Sequence, residues 1–336
     1  MTNSEENSES DKKSKSEKDS EKKKKEHKLE DLPGIGKATV EKLMSAGITS
    51  VRSLALYPLT KLQEEAGLGE KTSLNIIKAA QNVEKMGFKS AKAIWNKRRE
   101  LKKLTTGSNN LDELLGGGIE TGAITELFGE YRTGKTQLGH QLCVNVQLPY
   151  EQGGLEGNAL YVDSEGTFRP ERIIDMAEGK DLDYNNILKG ITVGRAYNSD
   201  HQILLVREAP KIIEKSNIKL IIVDSIITHF RSEYIGRGTL ANRQQILNKH
   251  VHDLLRLSET YEELAIVFTN QVSANPNVFY GNPIGATGGN IIAHGATIRI
   301  YLRKGKGEQR VAKVIDAPHL PEADAVFSIV DDGISD

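Results

Sequence analysis

The chain has 336 residues, which corresponds to about two domains. Lys plus Arg total 45 and Asp plus Glu total 46, so the net charge of −1 excludes a histone-like basic protein and a strongly acidic one, but not a local DNA-binding surface. No apolar run approaches the roughly 18 residues that a membrane helix needs, and no apolar signal segment is recognisable. With Cys143 as its single cysteine, we expect a cytoplasmic protein that has no intrachain disulfide and no membrane partner.

The first 26 residues consist almost entirely of Ser, Glu, Lys, Asp and Asn, and Met1 is their one apolar residue. Such a segment cannot bury enough surface to offset the entropy lost on ordering. The composition therefore predicts a disordered polar tail over residues 1–26. A solubilising role and a weak nucleic-acid tether are both compatible with it.

Residues 27–86 are predicted to form a compact helical domain. Two similar Gly-apolar-Gly turns, which begin at Gly34 and Gly67, each precede a helix-forming segment. Such a turn lets the backbone approach a phosphate closely and directs the amides of a helix N-terminus towards it. The pattern resembles the helix-hairpin-helix DNA-binding module, with Gly34, Gly36 and Lys37 as candidate DNA contacts. Two ordinary tight turns in a helical bundle are the alternative.

Residues 87–104 form a basic linker, in which seven Lys and Arg residues are opposed by Glu100 alone. A run of charge is usually a solvated helix face, and contact with DNA is the alternative.

Residues 105–336 have the pattern of an α/β domain. Short apolar segments recur and are predicted to be strands: Ile124–Phe128, Ala159–Val162, Ile187–Val193, Leu220–Val223, Ala265–Thr269, Ala296–Leu302, Val311–Ile315 and Ala325–Val330. The early segments alternate with helical stretches, which predicts a parallel sheet. The later segments follow closely on one another, which predicts an antiparallel extension at one edge.

A phosphate-binding loop follows the first of these strands and precedes an apolar helix. Its residues are Gly129, Glu130, Tyr131, Arg132, Thr133, Gly134, Lys135 and Thr136. In this motif the backbone N–H groups surround phosphate oxygens, the lysine contacts the β and γ phosphates, and the hydroxyl binds Mg²⁺. The sequence therefore predicts a site for ATP and Mg²⁺.

Polar side chains follow three other predicted strands. Asp224 ends an apolar strand, where phosphate-loop enzymes place an acid that holds Mg²⁺ directly or through water. Glu165 is a candidate for orienting the attacking water, with a helix-capping role as the alternative. Gln271 is a candidate contact to the γ-phosphate, or else an ordinary residue at the start of a loop. With Lys135, these two are the candidate catalytic residues.

Two polar segments follow strands at the same predicted sheet edge. Residues 229–245 carry Arg231, Arg237 and Arg243 against one acid. Residues 270–294 contain no Asp, Glu, Lys or Arg, and are predicted to be a long loop without secondary structure of its own. Because ligands bind outside the carboxyl ends of parallel strands, a polymer that touches both loops would lie near the γ-phosphate.

Long stretches of the chain resemble the RecA/RadA family of recombinases, and its archaeal members most of all. The matching segments are Gly129–Gln137, Tyr161–Arg172, Leu220–Ser225, Thr269–Val272 and Asp316–Pro321, within a resemblance that covers residues 29–336. It implies a RecA-like phosphate-loop ATPase core with a mostly parallel sheet, preceded by a small all-α helix-hairpin-helix domain. It also implies a DNA-dependent ATPase that forms ATP-bound filaments on single-stranded DNA and exchanges strands with homologous duplex DNA.

The resemblance implies roles for residues that the spacing alone does not assign. Gln137 and Arg172 would bind the nucleotide, with Arg172 on the adenine. Pro321, Asp316 and His294 would act from the next subunit: Pro321 on the other face of the adenine, Asp316 at the metal and nucleotide, and His294 at the interface. Residues 229–245 would be the first DNA loop. Residues 270–294 would be the second, with Asn277, Val278, Gly288 and Gly289 as DNA contacts.

In the linker, the resemblance makes Phe88 and Ala91 an oligomerisation segment that docks in apolar pockets of the neighbouring core. The expected assembly is a helical filament, or a ring, associated with the nucleoid, and recombination mediators are an expected class of partner. Two other functions share the nucleotide motifs: an ATP-driven hexameric helicase, and a regulatory paralogue that binds ATP but exchanges no strands. The doubled helix-hairpin-helix turn and Phe88 argue against the helicase, and Glu165 with the two loops argues against the paralogue.

Overall fold

A computed structural model describes residues 27–274 and 284–336 of the chain. The predicted polar tail over residues 1–26 lies outside the described residues. Within them, no helix is both long and apolar enough to cross a membrane.

The N-terminal domain is all-helical. A short 3₁₀ helix at Leu29–Asp31 is followed by α1 (Lys37–Ser45), α2 (Val51–Ala55), α3 (Leu59–Ala66) and α4 (Glu70–Val83). Their apolar faces enclose a separate core that includes Leu43, Leu54 and Leu62. The domain therefore has a core of its own, separate from that of the α/β domain.

The two Gly-apolar-Gly turns of this domain have similar backbone conformations. Gly34 and Gly67 both have a left-handed φ, of +86° and +59°, which favours glycine. Gly36 and Gly69 are the N-cap residues of α1 and α4, and no side chain caps either helix. Both turns thus leave the first amides of a helix without a side-chain acceptor.

After the N-terminal domain the chain continues through helices and strands in alternation. The helices are α5 (Ala91–Arg99), α6 (Asn109–Leu114), α7 (Lys135–Asn145), α8 (Pro170–Glu178), α9 (Tyr184–Lys189), α10 (Ser199–Glu208), α11 (Pro210–Ile213), α12 (Thr228–Glu233), α13 (Leu240–Thr260) and α14 (Asn290–Gly295). The strands are β1 (Lys103–Leu104), β2 (Ile119–Glu120), β3 (Ile124–Gly129), β4 (Asn158–Asp163), β5 (Ile191–Arg195), β6 (Ile218–Asp224), β7 (Ala265–Asn270), β8 (Val272–Ala274), β9 (Ile284–Ala286), β10 (Ile298–Lys304), β11 (Gln309–Asp316), β12 (Asp324–Val330) and β13 (Gly333–Ser335).

The core is one large sheet covered on both faces. Among the described residues its strand order is β13-β12-β11-β10-β3-β7-β6-β4-β5. The strands from β10 to β5 are parallel, and β11, β12 and β13 extend the sheet in antiparallel fashion. One apolar cluster, which includes α7 and α8, covers one face, and a second, which includes α10 and α13, covers the other. The predicted parallel sheet with an antiparallel edge is confirmed.

Two local predictions are wrong. The expected strand over Ile187–Val193 begins only at Ile191, because Asp183 caps a helix that runs to Lys189. The segment 270–294 is not free of secondary structure, since β8 pairs with β9 and α14 follows. At the end of the linker, β1 pairs with β2 in a separate two-stranded sheet, in which Lys103 lies opposite Glu120.

The N-terminal domain packs on the core through a charged contact centred on Asp253 of α13. This carboxylate accepts hydrogen bonds from Lys61 of the N-terminal domain (2.6 Å), from Arg207 (3.0 Å) and from Arg256 (2.6 Å). Burial raises the pKa of Asp253, but the bond from Lys61 and the other two cations outweigh it and hold the pKa below its usual value.

Candidate active site

The loop between β3 and α7 can be built only with glycine at two positions. A Cβ atom on Gly129 would lie 2.2 Å from the carbonyl oxygen of Leu302, and one on Gly134 would lie 2.6 Å from Cδ1 of Ile329. Gly134 also has a φ of +100°, in the left-handed region. The backbone of β10 therefore excludes a side chain at Gly129, and the left-handed φ favours glycine at Gly134.

Lys135 bridges the loop from its position at the N-terminus of α7. Its Nζ donates hydrogen bonds to the carbonyl oxygens of Gly129 (2.9 Å) and Glu130 (2.8 Å). Burial lowers the pKa of Lys135, while the charges of Asp224 and Glu165 act in the opposite direction. The helix N-terminus and the buried ammonium group both favour an anion. A phosphate would be a stronger acceptor than the two carbonyl oxygens, so the loop fits a bound phosphate.

Asp224, the last residue of β6, is buried and surrounded by hydroxyl groups. Its Oδ2 accepts hydrogen bonds from Thr136 (2.8 Å) and Tyr161 (2.7 Å), and its Oδ1 accepts one from Thr269. Burial, followed by the charge of Asp224, raises the pKa of Tyr161 far above its ordinary value, so its hydroxyl remains a donor. The donors come from α7, β4 and β7, and they fix the carboxylate beside the phosphate loop.

The oxygen atoms of Thr136 and Asp224 fit Mg²⁺. Within residues 27–274 and 284–336, no group of three or more His, Cys, Asp and Glu side chains is arranged to hold a metal. Mg²⁺ at a nucleotide site is typically held by one or two protein oxygens together with phosphates and water. A hydroxyl and a carboxylate at the N-terminus of α7 are such a set.

Glu165 lies where the nucleotide loop meets the first predicted DNA loop. Its Oε1 accepts hydrogen bonds from Ser225 (2.9 Å), Thr228 (2.6 Å) and Gln271 (3.0 Å). The side-chain oxygen of Gln271 in turn accepts one from Nη1 of Arg231 (2.8 Å). The structure thus joins three residues that the sequence analysis selected separately, from the ends of β4, β6 and β7.

Arg172 is held on the wall of the cleft. Its Nε donates to Oε1 of Gln137 (2.7 Å), and its terminal nitrogens donate to the backbone oxygens of Val330 (2.6 Å) and Asp331. The guanidinium plane is therefore fixed between α8 and the end of β12.

His140 ties the segment after β4 to the phosphate loop, and the sequence analysis missed it. The backbone N–H of Arg169 donates to Nε2 of His140 (3.1 Å), which places the ring proton on Nδ1, where it donates to the carbonyl oxygen of Thr136 (2.8 Å). Burial lowers the pKa of His140, so the ring stays neutral. The imidazole ring of His140 packs on the rings of Tyr161 and Phe168, at centroid distances of 5.5 and 5.2 Å.

The phosphate loop, Glu165, Arg172, Asp224 and Gln271 line one cleft of about 980 Å³. Its predicted members are Gly129, Glu130, Tyr131, Arg132, Thr133, Gly134, Lys135, Thr136, Gln137, Glu165, Arg172, Asp224 and Gln271. Its other lining residues are Thr167, Ser225, Thr269, Val272, Arg310, Ile329, Val330 and Asp331. The carboxyl-terminal strands contribute Arg310, Ile329 and Val330, Asp331 follows β12 directly, and no local motif marks these four in the sequence.

Three predicted nucleotide-site residues do not line this cleft. Asp316 ends β11 and is exposed, as is Pro321 in the following loop. His294 borders a separate cavity of about 260 Å³ between α13 and α14. The sequence analysis expects all three to act on the nucleotide of a neighbouring subunit, and that stays a prediction.

The candidate DNA residues occupy two regions of the molecule. Arg231 lies in α12, Arg237 in a 3₁₀ helix (Arg237–Thr239) and Arg243 in the first turn of α13. Gly288 and Gly289 precede α14, and Nε2 of Gln244 donates to the carbonyl oxygen of Gly288 (3.3 Å), so the two predicted DNA loops touch. Asn277 and Val278 lie outside the described residues. Gly34, Gly36 and Lys37 lie on the surface of the N-terminal domain.

The helix of the linker contacts the core through charged side chains, since Lys97 pairs with Glu262 (2.5 Å) and Arg98 pairs with Glu120 (3.1 Å). Phe88 is fully exposed, with a relative exposure of 110%, and α5 has no buried residue. Ala91, Ile94 and Trp95 on that helix are exposed as well.

Comparison with known proteins identifies the family. The model of the family described as Rad51 matches residues 97–336. The chain belongs to the Rad51 family. A SAM-like helix-hairpin-helix tandem model matches residues 26–82, where the two glycine turns lie. The DNA repair and recombination protein RadA of Aeropyrum pernix is 50% identical over 308 residues, which cover 92% of this chain and 96% of that protein.

Members of the Rad51 family are DNA-dependent ATPases that form filaments on DNA and catalyse strand exchange. The predicted fold is confirmed: a mostly parallel α/β core of this family, preceded by a helix-hairpin-helix domain. As a member, the chain binds a nucleotide and DNA.

Proposed function

We propose that this chain assembles ATP-bound filaments on single-stranded DNA and catalyses homologous pairing and strand exchange in DNA recombination and repair. The observation that carries the proposal is the chain of contacts from Glu165 through Gln271 to Arg231. It connects a group suited to orient water in the nucleotide cleft with a cation on a candidate DNA loop. A helicase on the same core would need no exposed Phe88 in its linker.

In the nucleotide cleft, Lys135 would bind the β and γ phosphates, and Thr136 and Asp224 would hold Mg²⁺. When bound, Mg²⁺ would neutralise the negative charge that develops on the phosphate oxygens as the bond between the β and γ phosphates breaks. Glu165 would orient the attacking water through its carboxylate, and Gln271 would contact the γ-phosphate. The backbone of residues 129–135 would surround the phosphate oxygens.

A neighbouring subunit would complete the site. Arg172 would pack on one face of the adenine, and the neighbour's Pro321 would cover the other. Asp316 and His294 of the neighbour would approach the phosphates. Because Pro321, Asp316 and His294 line no part of the cleft within one chain, hydrolysis is expected to depend on assembly.

DNA would be held by three surfaces. The arginines at 231, 237 and 243 would contact phosphates, and the second loop, with Asn277, Val278, Gly288 and Gly289, would approach the bases. The helix-hairpin-helix domain, over residues 27–86, would contact a DNA backbone through Gly34, Gly36 and Lys37. Protein contacts to phosphates carry no sequence information, so sequence would be read by base pairing with the incoming duplex.

Subunits would be joined through the linker, residues 87–104. Its exposed Phe88 would dock in an apolar pocket of the neighbouring core (residues 105–336), and Ala91 would fit a shallower one. The edge strand β5 offers unpaired backbone groups and an exposed Val193 on which an extended segment can pair. We also propose that the filaments form at the nucleoid and that mediators load the protein there.

A strand-exchange assay tests the proposal. Purified protein is incubated with circular single-stranded DNA and homologous linear duplex, with ATP and Mg²⁺, and joint molecules are counted by gel electrophoresis. We expect joint molecules with homologous but not heterologous duplex, and helical filaments in the electron microscope. Closed rings that unwind a fork without pairing homologous strands would contradict the proposal.

A further inference from the structure

Thr228 holds a central place in the contacts around Glu165. It is the first residue of α12, the helix that also carries Arg231 three residues later. Its Oγ1 donates to Glu165 (2.6 Å) and accepts from Nε2 of Gln271 (3.1 Å), and it shares a hydrogen bond with Ser225 (2.6 Å). No nucleotide-binding motif in the sequence includes this residue.

Gln271 is held by α12 at both ends of its amide group. Its nitrogen contacts Thr228 and Glu165, and its oxygen accepts from Arg231. Residues three apart on a helix lie on the same face, which is why one short helix can hold both ends. The position of Gln271 is therefore set by the same helix that reaches the candidate DNA surface.

DNA would change this arrangement. The exposed guanidinium of Arg231 is paired with a neutral amide oxygen. A DNA phosphate is a charged acceptor, and hydrogen bonds between two charged groups are about twice as strong as neutral ones. Arg231 would move to the phosphate, and the amide of Gln271 would then be free to leave Glu165.

Once Gln271 leaves, the two hydroxyl groups are the donors that remain on Oε1 of Glu165. Ser225 is buried, and its hydroxyl is within hydrogen-bond distance of both Glu165 and Thr228, so its single proton is shared between two acceptors. Among the described residues, the three donors all bind Oε1, so Oε2 would be the oxygen available to orient a water molecule.

We infer that Thr228 is a positioning residue that keeps Glu165 in place when DNA binding moves Gln271, and that its hydroxyl thereby makes ATP hydrolysis responsive to DNA. The inference rests on the proposed roles of Glu165 and Arg231. Without the hydroxyl of Thr228, Gln271 still binds Glu165 when DNA is absent. When DNA is bound, Glu165 loses its main hydrogen-bond donor. Removing the hydroxyl should therefore lower the rate of ATP hydrolysis more when DNA is bound than when it is absent.

The test compares Thr228→Val, which has the shape of threonine without its hydroxyl, with Thr228→Ser, which keeps the hydroxyl. For each full-length variant, kcat and KM for ATP are measured with and without single-stranded DNA, and DNA affinity is measured by fluorescence anisotropy. We expect the ratio of the DNA-bound to the DNA-free kcat to fall about tenfold in Thr228→Val, the size of a lost hydrogen bond to a charged group. KM and DNA affinity should stay within about twofold, and Thr228→Ser should keep the wild-type ratio.

Ser258→Ala is the matched control, because its hydroxyl donates to the carbonyl oxygen of Leu255 on its own helix, α13, and lies outside both predicted DNA loops. It should keep the wild-type ratio. Thr228→Ala repeats the test if the valine variant melts below the wild-type temperature.

Two results would overturn the inference: a wild-type ratio in a folded variant without the hydroxyl, whether or not both rates fall, or an equal loss of the ratio in Thr228→Ser. If the wild-type protein itself shows no stimulation by DNA, the proposed function fails. If the wild type is stimulated and Thr228→Val is stimulated equally, only the inference about Thr228 fails.

Discussion

Substituting Phe88 by glutamate is expected to break filaments into small species. In the single chain this side chain is fully exposed, so docking would remove all of it from water. Burying a phenylalanine side chain contributes about 1.5–3 kcal/mol, which corresponds to a factor of about 10–150 in the affinity between subunits. Glutamate loses this contribution and adds the cost of burying a carboxylate, so the loss of affinity should lie at or above that range.

The assay is light scattering with ATP and Mg²⁺ over a range of protein concentrations, followed by electron microscopy. In a filament where each added subunit binds with the same affinity, the mean length varies as the square root of the association constant. A hundredfold loss of affinity therefore shortens filaments about tenfold at a given concentration. The fold of the variant should be intact, because Phe88 makes no buried contact within the chain.

Lys89→Glu is the control for charge, since this neighbouring residue is also exposed and keeps Phe88 in place. It should form long filaments. Full-length polymers of Phe88→Glu, at concentrations where the wild type is just assembled, would refute the docking role. Equal shortening by both variants would assign the effect to the charge of the linker instead.

Three further predictions concern the core. Lys135→Ala should abolish ATP-dependent DNA binding and strand exchange, and unchanged exchange in the joint-molecule assay would refute the nucleotide site. Glu165→Gln should lower the rate of phosphate release about 100-fold or more while ATP-dependent DNA binding persists, because a group that orients or deprotonates water contributes about 10²–10⁴-fold; parallel loss of binding would contradict its role. Burial lowers the pKa of His250 to about 4, below its ordinary value. As the pH falls, the imidazole of His250 is therefore protonated in the unfolded chain before it is protonated in the folded chain. The contribution of His250 to the free energy of unfolding is then fully present above about pH 6.5, and it falls by about 3 kcal/mol towards pH 4. His250→Phe should remove this part of the decline, as measured by urea unfolding at pH 7 and pH 4.5. An unchanged pH dependence in the variant would show that His250 does not cause the decline.

The parts of the site that could be predicted are those that lie in one continuous segment. Gly129–Thr136 requires glycine at fixed positions in a short loop, and its neighbours are a buried strand and a helix, so the spacing itself carries the geometry. The error at Ile187 has a local cause as well. The apolar run predicts a strand, but Asp183 is a helix cap, and its Oδ1 accepts a hydrogen bond from the backbone N–H of Asn185 (2.9 Å).

Other features depend on side chains that are far apart in the sequence. Tyr161 and Thr269 contact Asp224 across intervals of 63 and 45 residues, and the spacing within their own segments does not show that they meet there. Ile329 and Val330 enter the cleft only because the antiparallel edge brings β12 beside the phosphate loop.

The sequence by itself determined the division into a helical domain, a basic linker and an α/β core, because composition and hydrophobic period are properties of contiguous segments. It also determined the phosphate loop and the acids at strand ends. Only the tertiary structure decided which groups meet. The order of parallel strands sets the carboxyl ends of β4, β6 and β7 side by side, so Glu165, Thr228 and Gln271 come within hydrogen-bond distance. Hydrogen bonds are directional and act over about 3 Å, and such distances between remote residues follow from packing and not from spacing along the chain.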